Sequence, residues 1–344
     1  MKIKNLLTFF LFLSLGCLIL YLVYHKQQVA YEAECVAKGI TSENCSLLTK
    51  VYNDIKGANW VYLIISIGFF VLSNVLRAVR WNLLTEPLGY KMKFINAFGA
   101  VTIAYFTNLA LPRIGELIRA GVISKYENIP SEKAFGTIIT ERIIDVVIFF
   151  FVSMLALIFA YQKVSEYLFE NAVIDFKSMV FPMSLLIILL IMMGVLYKYW
   201  GKIETTKIGA KVSVFIKGLI EGLLSIKKLE KRGLFITYSL AIWACYFIMT
   251  YVSFNALTAT SNLPPQAALV SLFLGSVGMI IPSPGGMGTY QFMISEALSL
   301  YGVAGSDGFS YANLNFIFIS IIGNISLGLA AYVLLPIINR KSQS

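Results

Sequence analysis

The sequence predicts an all-α polytopic membrane protein: six transmembrane helices plus two re-entrant Pro-Gly hairpins, with eight full spans as the alternative. Three observations predict this class. Of 344 residues, 58% are apolar and only 13% charged, against about 45–50% and about 25% in soluble domains; mean hydropathy is +0.76. Apolar runs stand at 6–24, 60–76, 94–111, 134–161, 179–199, 234–257, 266–281 and 311–338, and roughly 20 apolar residues rising 1.5 Å each cross a bilayer. The two shortest, 94–111 and 266–281, run into Pro112 and Pro282. This composition excludes a soluble enzyme, a disordered chain and a disulfide scaffold.

The elements follow in order. Lys2 and Lys4 precede the run 6–24, which continues past Cys17 and so reads as an uncleaved signal-anchor span. Residues 25–57 form an outer loop in which Cys35 and Cys45 could pair in an oxidising compartment. After the span 60–76 comes a basic loop, 77–93, with Arg77, Arg80, Lys91 and Lys93. If 94–111 turns back within the membrane, the basic segment 112–133 (Arg113, Arg119, Lys125, Lys133) lies on the same side as that loop. Lys and Arg collect in cytoplasmic loops. The re-entrant reading therefore places both segments, the basic stretch 198–233 and both termini in the cytoplasm, with the protein in the inner membrane. The net charge of +10 has the same origin. With no RNP-like motif, zinc spacing or basic arm, a nucleic-acid partner is not expected.

The runs pair across the chain: 6–24 with 179–199, 60–76 with 234–257, and 134–161 with 311–338. Pro112-x-x-Gly115 and Pro282-x-x-Gly285 fall at matching places. The single membrane domain, 1–344, therefore reads as repeats 1–178 and 179–344. Three full spans each make the second repeat inverted, an architecture common among transporters. In 203–229, Ile208, Val212, Phe215, Leu219 and Leu223 recur at helical spacing among Lys207, Lys211 and Lys217. That pattern predicts an amphipathic helix at the inner interface or a solvated linker.

Histidine occurs once, at His25, which argues against a histidine metal site or a serine triad. There is no phosphate loop and no dinucleotide fingerprint, so no cofactor is expected. A charge inside a span costs about 2.5–3.5 kcal/mol on insertion scales, which singles out Glu141, Arg142 and Asp145. Glu116 and Arg119 stand at i and i+3 beside the first proline break. Arg142 either meets a ligand phosphate or neutralises Glu116 or Asp145. At the hairpin tips, new helices begin after Pro112 and after Gly285, Gly286 and Gly288. Free N–H groups at such starts attract anions; the alternative is a tight turn and nothing more. Asn108, Tyr290, Gln291 and Glu296 add polar groups nearby.

The stretch Asn108, Pro112, Gly115, Glu116, Arg119 followed by Glu141, Arg142 and Asp145 resembles the first signature of the flippase-like membrane family, which includes the transmembrane region of bacterial lysylphosphatidylglycerol synthases. Pro282, Pro284, Gly285, Gly286, Gly288 and Tyr290 resemble the second. The family carries an acidic residue soon after these glycines; here Tyr290 and Gln291 occupy that stretch and Glu296 comes later. The resemblance implies movement of an anionic phospholipid, or of a polyprenyl-phosphate carrier, between leaflets. It also implies a stand-alone member without the aminoacyl-transferase domain and argues against enzymatic lysine transfer. The alternatives are a lipid-modifying enzyme using Glu116 and Glu141 as acid and base, and a non-catalytic partner of an envelope-biosynthesis enzyme. A homo-oligomer is compatible with each.

Overall fold

The computed structural model describes residues 3–37, 39–40, 45–170, 229–281 and 283–340. They are helical throughout: α1 (Ile3–Ala37), α2 (Leu47–Gly57), α3 (Trp60–Thr85), α4 (Phe94–Ala110), α5 (Gly115–Glu127), α6 (Ser131–Glu170), α7 (Arg232–Phe254), α8 (Pro265–Ile280), α9 (Thr289–Ser299) and α10 (Gly305–Arg340), whose middle, Phe316–Gly323, is π-helical. Four of these, α3, α6, α7 and α10, contain stretches long and apolar enough to cross a membrane. Their outer faces expose large apolar side chains, among them Ile64, Phe150, Ile236 and Val333, which suits contact with lipid. The protein is a multi-pass membrane protein. The predicted span 179–199 and all of the predicted interfacial helix 203–229 except Leu229 lie outside the described residues.

One expectation is corrected. The basic loop placed at 77–93 begins only after Thr85, because α3 continues through Arg77 and Arg80. Both arginines are buried. A helix continues past a charge when its partner waits across the interface, and here the partners stand on α6.

The short apolar helices α4 and α8 have 17 and 16 residues, hence lengths of roughly 24–26 Å, less than a bilayer core of about 30 Å. Each folds back on its successor. At the first turn, Gly115 N–H donates to Asn108 Oδ1 at 2.8 Å, and a Cβ on Gly115 would stand 2.3 Å from the Ala104 carbonyl oxygen. Only glycine allows α5 this close to α4. At the second, Thr289 Oγ1 donates to the Gly278 carbonyl at 2.6 Å, and Gly285, Gly286 and Gly288 all take positive φ. The hairpins open toward opposite ends of the molecule. At one end, Lys93 N–H bonds Glu127, Asn96 bonds Asn339, and Lys231 pairs with Glu86. At the other, Lys50 pairs with Asp307, Lys26 pairs with Glu296, and Asn59 N–H bonds the Ala256 carbonyl. Cys35 and Cys45 form a disulfide between α1 and the start of α2.

The hairpin tips meet. Arg113 Nη2 donates to the Ile280 carbonyl at 2.5 Å, and Leu109 packs against Gly285. Two apolar cores flank this junction. One gathers α3, α4, α5 and α6 around Trp81, Ile123 and Ile138. The other gathers α3, α7, α8, α9 and α10 around Leu63, Phe254 and Ile294.

Candidate functional site

Four arginines and three carboxylates gather where α3, α5 and α6 pack. Helical spacing puts Arg77 and Arg80 on the inner face of α3, and Glu141 and Asp145 one turn apart on α6. Glu141 is 0% exposed and meets three guanidinium groups: Arg77 Nη1 at 3.0 Å, Arg80 Nη2 at 2.8 Å and Arg119 Nη2 at 2.9 Å. Asp145 takes Arg80 Nη1 at 2.6 Å and Arg77 Nη1 at 3.3 Å. Hydroxyls complete the shell: Arg77 Nη2 donates to Tyr246 Oη at 2.7 Å, and Arg80 Nη1 to Ser239 Oγ at 2.9 Å. The Arg119 guanidinium lies over the Trp81 ring at 3.8 Å, while Trp81 Nε1 is anchored on Thr137.

The outer part of the cluster is looser. Arg142 stands 3.6 Å from both Glu116 and Asp145 and its side chain is 39% exposed; that of Glu116 is 30% exposed. Between these layers runs a narrow cleft with a cavity volume of about 10 Å³, lined by Arg77, Arg119, Arg142, Glu116, Tyr105 and Asn108. Arg119 is 2% exposed, yet its Nε and Nη1 have no hydrogen-bond partner among the described residues, and the same holds for Nε of Arg77 and Arg142. Among the described residues, four guanidinium groups against three carboxylates leave one surplus positive charge. A partly buried charge without a counter-charge, and buried donors without acceptors, are both costly. An anion in the cleft satisfies both, and arginine suits a phosphate because its donors form a planar fork.

Residues 46–326 match the family described as the lysylphosphatidylglycerol synthase TM region, a stretch that holds both hairpins and the whole arginine cluster. The chain belongs to that family. It is 31% identical over 161 residues to a UPF0104 membrane protein of Methanocaldococcus jannaschii, covering 46% of this chain and 47% of that protein; the match thus spans about half of that relative's length. It is 24% identical over 262 residues to a UPF0104 membrane protein of Pyrococcus horikoshii, covering 70% of this chain and 78% of the relative. A shorter stretch, 77 residues at 35% identity, resembles Glycosyltransferase AglD of Haloferax volcanii, covering 22% of this chain and 12% of that protein. No solved structure is significantly similar to the chain.

Within this lysylphosphatidylglycerol synthase-region fold, the residues singled out in the sequence divide. Asn108, Glu116, Arg119 and Arg142 line the cleft, and Glu141 and Asp145 bind its arginines. Gly115 sets the distance between α4 and α5 beside it, and Pro112 lies in the turn just before. Pro282 lies outside the described residues. The remainder stand elsewhere: Tyr290 packs against Phe316, and Glu296 pairs with Lys26 at 2.8 Å. The glycine tip is closed. Gly286, Met287 and Gly288 N–H groups donate to Ser283, Pro284 and Gln291, and Gly288 is pressed against the α1 backbone at Leu20. The turn uses the N–H groups of Gly286, Met287 and Gly288 itself, and the first turn of α9 begins beyond them at Thr289. The first tip likewise spends Gly115 N–H on Asn108. Arg77, Arg80, Tyr105 and Trp81 complete the site without having been singled out. A signal for them exists: Ser73, Arg77, Arg80 and Leu84 continue the helical spacing of 60–76 beyond its first charge.

Proposed function

We propose that this protein is a lipid translocase of the inner membrane, moving a phosphate-bearing lipid between leaflets. One observation carries the reading: a largely buried cluster with one surplus positive charge among the described residues, in which guanidinium donors without a hydrogen-bond partner among those residues line a narrow cleft. The phosphate sits between Arg119 and Arg142, with Arg77 behind it. Leu117 and Ile118, exposed and immediately before Arg119 on α5, lie against the acyl chains, so the polar headgroup passes through the protein while the tails stay in lipid.

The same reading makes both hairpins re-entrant and the two halves an inverted repeat. Its support is the opening of the hairpins toward opposite ends, together with the packing scheme. α3 and α7 pack on each other; α4 lies on α10, as α8 lies on α6. Exchanging the halves exchanges these contacts. Both termini are cytoplasmic in this scheme, because Glu86, Lys93, Lys231 and Asn339 share the basic end. The rival acid–base pair, Glu116 and Glu141, fits less well: Glu141 is held by three guanidinium groups and has no exposed surface. The likeness of 77 residues to Glycosyltransferase AglD favours a second reading, a membrane partner beside a glycosyltransferase.

Purified protein in liposomes, with labelled phosphatidylglycerol confined to one leaflet, tests the proposal. Accelerated exchange, lost on Arg119→Gln, is the expected result. Exchange no faster than in protein-free liposomes, for phosphatidylglycerol and for a polyprenyl phosphate alike, refutes it.

A further inference from the structure

The carboxylates of the cluster are not equivalent. Glu141 and Asp145 are fixed: the first meets three guanidinium groups, and the second is bonded to both oxygens by Arg80. Glu116 is different. Its one ion pair among the described residues is the 3.6 Å contact with Arg142 Nε, longer than a hydrogen bond. It stands on the first turn of α5, one turn before Arg119, and lines the cleft together with the arginines that would hold an anion. A ligand phosphate between Arg119 and Arg142 therefore has the Glu116 carboxylate as its neighbour.

Charge balance gives that neighbour a task. With all three carboxylates ionised the cluster carries one surplus positive charge, so a ligand with one negative charge brings it to neutrality. A ligand with two leaves the site net negative, with its second charge repelled by Glu116. We infer that Glu116 is a specificity-determining residue, which makes the cleft accept a singly charged phosphodiester lipid and reject a doubly charged phosphomonoester. This inference rests on the cleft holding a lipid phosphate, as proposed above, and deepens that reading by naming the class of phosphate. Repulsion between like charges at close quarters is a common basis of such selection. Without the Glu116 charge, two surplus positive charges remain and match the phosphomonoester instead.

Two lipids that differ only at the phosphate isolate the effect: short-chain phosphatidylmethanol, a diester, and phosphatidic acid of the same chains, a monoester. At a pH of about 8.5 the monoester carries nearly two charges, since the second pKa of such phosphates is about 6. Calorimetric titration of the full chain in detergent gives the ratio of their dissociation constants. Wild type should favour phosphatidylmethanol. Glu116→Gln should move the ratio toward phosphatidic acid by about tenfold, equivalent to about 1.4 kcal/mol. Glu116→Asp, which keeps the charge, should retain the wild-type preference. Glu116→Gln with Arg142→Gln, which restores a single surplus charge, should return the ratio toward the wild-type value. The fixed pairs of Glu141 and Asp145 with Arg77 and Arg80 are untouched in all three variants, so folding is preserved. A wild-type protein that binds phosphatidylmethanol well, but whose ratio is unchanged by Glu116→Gln or is shifted equally by Glu116→Asp, overturns the inference and leaves the translocase reading standing. A wild-type protein that binds neither lipid more tightly than Arg119→Gln does removes both.

Discussion

Replacing Arg80 by leucine tests whether the inner arginines hold the fold while the outer ones serve a ligand. Arg80 is 0% exposed and stands 2.8 Å from Glu141 and 2.6 Å from Asp145. It also donates to Ser239 at 2.9 Å. Removing one partner of a buried pair costs about 3–5 kcal/mol, and the lost bond to the hydroxyl adds about 1 kcal/mol. Glu141 keeps Arg77 and Arg119, and Asp145 keeps Arg77 at 3.3 Å, so the lower end applies, about 3 kcal/mol for the ion pairs and about 4 kcal/mol with the hydroxyl bond. Arg142→Gln is the contrast. Its two ion pairs are 3.6 Å long and its side chain is 39% exposed, so the cost is discounted to below about 1 kcal/mol. Unfolding in mixed micelles, read by circular dichroism, compares the two. Arg80→Leu should unfold at distinctly lower denaturant, and pairing it with Asp145→Leu should recover part of the loss. An Arg80→Leu protein as stable as wild type, or an Arg142→Gln protein destabilised as much as Arg80→Leu, would refute this division.

Gly115→Ala should destabilise by about 1–3 kcal/mol through overpacking, because the added Cβ would stand 2.3 Å from the Ala104 carbonyl; Gly121→Ala, with nothing within 4 Å, should be neutral or stabilising in the same unfolding assay. At the opposite end, burial lowers the Lys50 pKa, but the carboxylates of Asp307 and Asp54 outweigh it and hold the pKa above the ordinary lysine value. The stability Lys50 contributes is then fully present below about pH 10.4, the unfolded lysine value, and is lost as pH rises through the folded value. Lys50→Met should remove that alkaline component from a stability–pH profile, and a profile unchanged by the substitution would count against the Lys50–Asp307 pair. A single cysteine beside Asp307 should react with an impermeant outside reagent in intact cells, and one beside Lys125 should not; labelling at Lys125 would leave eight full spans as the better topology.

The membrane class was legible because apolar runs are long signals that tertiary packing cannot disguise. The two proline-broken runs gave short apolar helices, since 17 and 16 residues set helix length directly. Family membership was legible in the stretch from Asn108 to Asp145. What the sequence hid was pairing between distant elements. Arg77 and Arg80 looked like loop charges because the apolar run stopped at the first of them, and nothing local shows that α6 offers two carboxylates across the interface. For the same reason the spacing sets Arg119 at i+3 from Glu116 but does not show its bond to Glu141, 22 positions away. Glycine-rich tips look alike in sequence whether their N–H groups are open to a ligand or consumed by the turn, and in the second hairpin Gly286, Met287 and Gly288 consume theirs.

The central claim is that a lipid phosphate lies against the arginines of the cleft. Solid-state NMR of arginine-labelled protein in phosphatidylglycerol bilayers reads it directly, through the dipolar coupling between guanidinium nitrogen and lipid phosphorus. The account predicts a coupling at hydrogen-bond range, with donor nitrogen and phosphate oxygen about 2.7–2.9 Å apart, that disappears in Arg119→Gln while couplings from exposed arginines persist. A spectrum in which Arg119→Gln loses no nitrogen–phosphorus coupling would contradict it.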